Sequence, residues 1–214
     1  MSEPERLFPR IQQYLEEQSK KSAKVVEAHR AAVTELNRWI AKREKKQSDI
    51  IMVCTGNSRR SILGATMGNI VAAYRNKNQL RFYSAGTAPS AFNARTIATL
   101  KEIGLVIEAT GSQAKVGAKK DPNPHYRIEW GKAEGSSMVE YSKALDDVVL
   151  PGRDFAAVMV CDEADAKCPV VQGADLRVSM TFLDPKGFDG TKDETAEYAK
   201  TRDLLAQTML QIIS

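Results

Sequence analysis

The segment from Cys54 to Ser61 constrains this chain more than any other part of the sequence. It reads Cys-Thr-Gly-Asn-Ser-Arg-Arg-Ser and follows a largely apolar run at residues 49–53, which is typical of a buried strand. Residues 62–67 then begin an apolar pattern typical of a helix. The sequence therefore predicts a strand, a short loop and a helix N-terminus, with Cys54 at the end of the strand.

This loop has the parts of a site for a tetrahedral oxyanion. Successive backbone N–H groups can point inward, the helix dipole adds positive potential, and the Arg60 guanidinium can donate to two oxygens. The same field favours the thiolate form of Cys54, a nucleophile beneath the bound anion. Such chemistry suits phosphate-ester cleavage or arsenate capture. The predicted oxyanion-binding residues are Thr55, Gly56, Asn57, Ser58, Arg59, Arg60 and Ser61.

The alternative is structural, because a cysteine at a strand end is often an inert, buried small side chain. A cysteine and an arginine separated by five residues also occur together by chance. The flanking strand and helix, together with Gly56, Asn57 and Ser61 inside the loop, favour the functional interpretation.

Composition narrows the function classes. The 214 residues predict one domain plus an extension, and 43% hydrophobic with 27% charged residues is ordinary for a globular protein. The net charge of +4 suits small anionic substrates. The sequence has no stripe of basic and aromatic residues, so nucleic-acid binding is not expected. No run is long enough for a bilayer and no signal core is seen, so we expect a cytoplasmic protein without a membrane partner. In a reducing cytoplasm its three cysteines would be thiols. Their odd number favours a chemical role over structural disulfides.

Residues 1–48 are predicted to form a helical extension. Over residues 5–46, apolar or small side chains recur at steps of three and four, and the phase weakens near Gln18 and Ser22, so one helix or two are both compatible with the pattern. The apolar face must be covered by the catalytic body or by a second copy of the chain. A homodimer through these helices is therefore one of two expectations. His29, on the apolar stripe, is expected to pack.

The catalytic region, residues 49–214, alternates between strand and helix. Strands are predicted at 50–53, 80–84, 155–160 and 178–182, with helices at 62–74, 92–103 and 194–213. This order predicts an α/β fold, a parallel sheet of about four strands with helices on both faces. Ligands of such sheets bind beyond the carboxyl ends of the strands, so Cys54, Ser84 and Cys161 should gather at one edge.

An insertion at about residues 110–148 interrupts the alternation. Residues 111–124 are polar and loop-like, whereas 125–130 and 137–142 can pair as a hairpin. A plain hairpin and a lid over the site are both compatible with this pattern. His125 and Lys143 are candidates for anion contacts.

The other two thiols, Cys161 and Cys168, lie seven positions apart. In a helix they would share a face at a distance of about 10 Å. A disulfide needs Cα atoms within about 7 Å, so the segment would have to unwind. Simple packing is the alternative, and no metal site is expected because neither histidine stands at ligand spacing. A redox role is favoured because Cys161 is predicted at the same sheet edge as Cys54.

Asp184 follows the last predicted strand and precedes Pro185. A carboxylic acid there could protonate a departing oxygen. Asp-Pro pairs are equally common in plain turns.

Residues 49–212 resemble the low-molecular-weight protein tyrosine phosphatase superfamily, and most of all its thioredoxin-coupled arsenate reductases. The motifs that carry the resemblance are residues 53–61, Tyr83-Ser84-Ala85-Gly86-Thr87, Asp184-Pro185, Cys161 and Cys168-Pro169. The family often has a second cysteine where Arg59 stands and an Ala-Glu pair where Gly64-Ala65 stand. The extension and the insertion do not belong to its minimal fold.

The resemblance implies a role for each of these residues. Cys54 would be the nucleophile, Arg60 the oxyanion clamp and Asp184 the general acid, while Asn57 would shape the loop and Ser61 would bond to the thiolate. Cys161 and Cys168 would be the resolving thiols, which ordinary tyrosine phosphatases lack. No cofactor is required, although such reductases commonly carry potassium near the positions of Asn57 and Ser84.

The preferred hypothesis is arsenate reduction through a Cys54–Cys161–Cys168 disulfide relay, with thioredoxin as reductant and partner. The alternative is a phosphatase that hydrolyses phosphomonoesters through a cysteinyl-phosphate and needs only Cys54, Arg60 and Asp184. A third hypothesis is an oxyanion-binding or redox-sensing protein without turnover, whose residues 5–46 engage a partner.

Overall fold

The computed structural model describes residues 5–21, 27–43, 46–115, 117 and 120–213. The helices are α1 Pro9–Lys21, α2 Arg30–Lys42, α3 Arg60–Tyr74, α4 Ala94–Glu102, α5 Asp162–Lys167 and α6 Glu194–Ile212, with short 3-10 helices at Glu27–His29 and Pro185–Phe188. The strands are β1 Ser48–Cys54, β2 Leu80–Gly86, β3 Val106–Gln113, β4 Pro124–Glu129, β5 Ser137–Glu140, β6 Phe155–Met159 and β7 Ala174–Ser179. None of the helices within these ranges combines the length and the apolar character that a membrane span requires.

The main sheet has the order β2-β1-β6-β7, and its strands are parallel. The central strands β1 and β6 are buried along almost their whole length, because helices flank the sheet. Cys54 pairs with Gly86, and Val53 pairs with Met159. The carboxyl ends of β1, β2 and β6 therefore meet at one edge, and the predicted fold class is confirmed.

The last strand lies earlier than the sequence predicted. We expected a strand at 178–182, and β7 occupies Ala174–Ser179. As the edge strand it is only partly buried, so it has no continuous apolar run to mark it. Met180 and Phe182 are buried, but they belong to the connection that leads to Asp184.

The strands β3, β4 and β5 form a separate antiparallel sheet. The predicted hairpin corresponds to β4 and β5. The prediction of a loop from residue 111 onward was wrong for its first residues, because β3 runs to Gln113 and pairs with β4. Most β3 side chains are exposed, so their polarity resembled that of a loop although the backbone pairs.

The described part of the N-terminal region contains the α-helices α1 and α2, and both pack on the rest of the chain. α1 contacts α3 and α6, while α2 contacts α6 and β7. Ile11, Leu15 and Leu36 are fully buried in this contact. The apolar face is thus covered within one chain, and the homodimer stays a prediction. Ser22, where the phase weakens, lies outside the described residues. His29 packs on Phe182 with ring centroids 4.8 Å apart.

Candidate active site

The loop between β1 and α3 is held by its carbonyl groups. The carbonyl oxygens of Thr55, Gly56 and Ser58 accept hydrogen bonds from the backbone N–H groups of Ala88, Ser90 and Asn93, in that order, at 2.8, 3.0 and 3.2 Å. In a trans peptide the C=O and N–H groups point in opposite directions. The N–H group that follows each of these carbonyls therefore points away from the bonded segment. An oxyanion site at a helix N-terminus requires this arrangement.

Asn57 maintains the shape of the loop. It has a φ of 40°, in the left-handed region that asparagine tolerates better than most residues. Its buried side chain donates to Ser61 Oγ at 2.8 Å and to Ser84 Oγ at 2.7 Å. Its Oδ1 accepts from the backbone N–H of Lys143 at 2.7 Å. The start of α3 and two distant parts of the chain thus meet at one amide.

The sulfur of Cys54 lies 3.1 Å from Ser61 Oγ, and both side chains are buried. Ser61 Oγ already accepts from Asn57. Its own proton is therefore available for the sulfur, and a hydroxyl donor stabilises the thiolate over the thiol. This is the contact that the resemblance implied for Ser61.

Arg60 and Asp184 meet at the same pocket, a cavity of about 310 Å³ that Cys54 also lines. Arg60 donates from Nη2 to Asp184 Oδ2 at 2.6 Å and from Nη1 to the carbonyl of Phe182 at 3.0 Å. Its Nε is buried without a partner among the described residues. The guanidinium therefore has one donor without a partner in the described structure. Asp184 is held in turn by the backbone N–H of Lys186 at 3.0 Å.

The guanidinium of Arg59 is engaged outside the anion loop. It donates to Tyr198 Oη at 2.5 Å and to Asp189 Oδ2 at 2.9 Å. Burial raises the pKa of Tyr198 to about 12, and the hydrogen bond from Arg59 opposes that rise. We therefore expect Arg59 to contribute to anion binding through its backbone N–H group.

The structure brings Cys161 to the loop and leaves Cys168 farther away. Cys161 Sγ lies 3.5 Å from Thr55 Oγ1, on the residue that follows Cys54. The same sulfur caps α5 by accepting from the backbone N–H of Ala164 at 3.4 Å. Cys168, at the other end of α5, is partly exposed, and its thiol donates to the carbonyl of Val170 at 3.4 Å.

Glu163 adds a negative charge at the rim of the pocket. Its Oε2 accepts from Thr55 Oγ1 at 3.0 Å. The hydrogen bond from Lys167, and next the one from Thr55, hold the pKa of Glu163 below its usual value. The motifs gave no indication of this carboxylate, because its contact depends on how α5 packs beside β1.

The insertion supports the back of the loop. Ser142 Oγ donates to the carbonyl of Gly56 at 2.9 Å and accepts from the backbone N–H of Ser90 at 2.9 Å. None of its described residues lines the anion pocket, so the geometry does not favour a lid. His125 stacks on Tyr141 with ring centroids 4.1 Å apart, and Lys143 is buried against Glu140. Neither lines the anion pocket, although both were candidates for anion contacts.

Sequence reasoning missed the residues that support the loop from a distance. Glu140 and Ser142 lie more than 50 positions from Ser84 and Gly56, to which they bond. The only available signal was their place at the end of a predicted hairpin strand. Within the described ranges, no group of three or more histidine, cysteine or acidic residues is arranged to hold a metal ion.

No family model matches the chain. A curated relative is arsenate reductase 1 of Staphylococcus epidermidis, which is 25% identical over 158 residues, or 74% of this chain and 89% of the relative. The resemblance stated from the motifs is thereby confirmed, and the relative is an enzyme of the predicted type.

Similar solved structures share little sequence with this chain. One is an arsenate reductase in a phosphate-binding state, with a TM-score of 0.47, 15% identity and coverage of 78% of this chain and 96% of that one. Another is a low-molecular-weight phosphotyrosine phosphatase of Vibrio cholerae, with a TM-score of 0.48, 13% identity and coverage of 78% and 94%.

Proposed function

We propose that this chain is an arsenate reductase of the thioredoxin-coupled type, with Cys54 as nucleophile. The observation that carries the proposal is the position of Cys161, whose sulfur is 3.5 Å from the hydroxyl of the residue after Cys54. A second thiol next to the nucleophile loop suits a redox reaction, and ester hydrolysis does not require it. The named activity of the Staphylococcus epidermidis relative supports the same choice.

The first step is binding and attack. Arsenate would be bound by the N–H groups of the loop and by Arg60, whose buried Nε is unpaired among the described residues. The anion would compete with Asp184 for the guanidinium and release that carboxyl group. The Cys54 thiolate then attacks arsenic, one arsenic–oxygen bond breaks, and Asp184 as general acid delivers the proton with which the oxygen leaves as water.

The second step transfers electrons. The Cys161 thiolate attacks the Cys54 sulfur, and the sulfur–arsenic bond breaks with its electron pair remaining on arsenic. Arsenic is thereby reduced from the +5 to the +3 state and leaves as arsenite, while the two sulfurs are oxidised to a disulfide. The Cys168 thiolate then attacks Cys161, which forms a Cys161–Cys168 disulfide and releases the Cys54 thiolate.

The last exchange requires α5 to unwind, because a disulfide cannot bridge the length of this helix. Arg177 fastens the C-terminal half of the helix, through Asp165 Oδ1 at 2.5 Å and the carbonyl of Cys168 at 3.0 Å. Unwinding would expose the new disulfide for reduction by thioredoxin, the proposed partner. This chemistry would operate in a reducing compartment, and we propose the cytoplasm.

The test is an arsenate assay with thioredoxin, thioredoxin reductase and NADPH. Cys168→Ser should release one arsenite per enzyme and then stop. The Cys54–Cys161 disulfide forms, but no third thiol is present to attack Cys161 and release Cys54. Cys161→Ser should release none. Full multiple turnover by Cys168→Ser would contradict the relay. No turnover of arsenate or of an aryl phosphate by the parent would favour a binding or sensing protein.

Phosphomonoester hydrolysis is the second candidate, and the contact of Arg60 with Asp184 favours it. An oxyanion clamp and a general acid in one pocket are sufficient for attack by Cys54 and for departure of an alcohol. The cysteinyl-phosphate would then be hydrolysed by water. Undiminished hydrolysis of an aryl phosphate by the Cys161→Ser, Cys168→Ser double variant, without arsenate turnover by the parent, would decide for this activity.

A further inference from the structure

Lys143 is buried behind the nucleophile loop with its ammonium group fully bonded. Nζ contacts Glu140 Oε1 and donates to the carbonyl of Tyr141 at 3.1 Å and to Ser84 Oγ at 3.4 Å. The Lys143 and Glu140 side chains are only 4% and 2% exposed. A buried ion pair needs partners for its remaining protons and lone pairs, and this one has them.

A continuous chain of hydrogen bonds joins this ammonium group to the nucleophile. Ser84 Oγ accepts from Asn57, Asn57 donates to Ser61, and Ser61 contacts the sulfur of Cys54. The backbone N–H of Lys143 also donates to Asn57 Oδ1 at 2.7 Å. Lys143 therefore holds the left-handed Asn57 in two ways, directly and through Ser84.

The residues at this position do not fit the potassium ion that the resemblance implies near Asn57 and Ser84. A hydroxyl, a carboxylate and a carbonyl oxygen are ligands that a hard cation takes. Here all three surround Lys143 Nζ. An ammonium group and a potassium ion cannot occupy the same space between the same oxygens.

We propose that Lys143 is a positioning residue that serves as the covalently attached cation of the active site. This proposal rests on the proposed function and goes beyond it, since it makes the nucleophile loop independent of added potassium. Because Glu140 neutralises the ammonium group, Lys143 acts by orienting Ser84 and Asn57 rather than by its field at Cys54. Ser61 is thereby aligned with the thiolate.

The experiment measures alkylation of Cys54 by iodoacetamide at neutral pH. The parent is the Cys161→Ser, Cys168→Ser double variant, in which Cys54 is the remaining cysteine of the three. Its rate should be the same in potassium chloride and in tetramethylammonium chloride at equal ionic strength. Adding Lys143→Ala should slow alkylation about tenfold in tetramethylammonium chloride, as expected for a weakened hydrogen bond to a charged group. Potassium chloride should partly restore the rate and raise the melting temperature, because potassium can enter the space that the lysine leaves.

Lys200→Ala is the matched control, since Lys200 also pairs with a glutamate three positions earlier but is 60% exposed. It should leave the rate unchanged in both salts. Should Lys143→Ala fail to fold, the variant Glu140→Gln, Lys143→Met removes both charges and fills the space. It should be slow in either salt.

Two results would overturn the proposal. One is a parent whose alkylation or melting temperature depends on potassium. The other is a folded Lys143 variant that is alkylated at the parent rate. Alkylation needs no turnover, so an inactive enzyme with the expected alkylation pattern would refute the proposed function alone.

Discussion

Replacing Ser61 with alanine tests the electrostatic basis of the site most directly. The Ser61 hydroxyl accepts from Asn57 and lies 3.1 Å from Cys54 Sγ, so its proton is directed to the sulfur. In the Ser61→Ala variant that donor is lost. Asn57 retains Ser84 as an acceptor and Lys143 as a donor, so we expect the loop to keep its shape.

The magnitude follows from the charge of the acceptor. A hydrogen bond to a charged group contributes about 1.5–3 kcal/mol, and about 1.4 kcal/mol corresponds to a factor of ten in rate. The bond is made to the thiolate, which is the reactive form, so its loss should slow alkylation at neutral pH by about 10- to 100-fold.

The assay measures the rate of iodoacetamide alkylation at neutral pH by mass spectrometry, in the variant that lacks Cys161 and Cys168. Thr66→Val is the matched control, because Thr66 is also a buried hydroxyl of α3 but donates to the carbonyl of Ile62 at 2.8 Å. It should leave the alkylation rate unchanged. If Ser61→Ala is alkylated at the parent rate, the Ser61 hydroxyl does not stabilise the thiolate.

Three further changes test the loop, the clamp and the extension. Gly86→Ala should lower the free energy of unfolding by about 1–3 kcal/mol in a urea titration, since the new Cβ would lie 2.7 Å from the carbonyl oxygen of Thr55 and 2.8 Å from the backbone nitrogen of Asn57. A urea midpoint equal to that of the parent would show that the loop shifts to accommodate the added methyl group. Arg60→Lys should lower kcat/KM at least about 100-fold, because an ammonium group cannot donate in a fork. Activity equal to that of the parent would show that catalysis does not require the Arg60 guanidinium. Leu15→Ala, at a fully buried position, should cost about 2–5 kcal/mol in a single unfolding transition. A separate early transition would show that residues 1–48 unfold independently.

The local architecture of the nucleophile loop could be predicted from the sequence. The apolar strand, the helix pattern and the spacing of Cys54 and Arg60 all lie within about 25 consecutive residues, where periodicity is informative. The alternation of strands and helices predicted the parallel sheet for the same reason. The parallel sheet in turn predicted that Cys161 would approach the loop, because carboxyl ends of parallel strands share an edge.

The prediction failed where residues are only partly buried. The edge strand β7 and the polar strand β3 lack the continuous apolar run that marks β1 and β6. Backbone pairing defines such strands, and it leaves little trace in one sequence. The bounds of the last strand and the start of the insertion loop were therefore wrong.

By itself, the amino-acid sequence determined the chemistry available to this protein: a thiol, a guanidinium and loop amides at a helix N-terminus, joined by short covalent spacing. Only the tertiary structure decided what surrounds them. It turned the Arg59 guanidinium to Asp189, brought Ser142 behind Gly56 and placed the Lys143 ammonium group beside Ser84. These contacts join residues tens of positions apart. Those of Ser142 and Lys143 exist because the segment that follows β5 lies beside the end of β2, where Gly86 bridges to Ala144. Hydrophobic periodicity describes which face of an element is buried, and it does not specify which distant side chain meets it there.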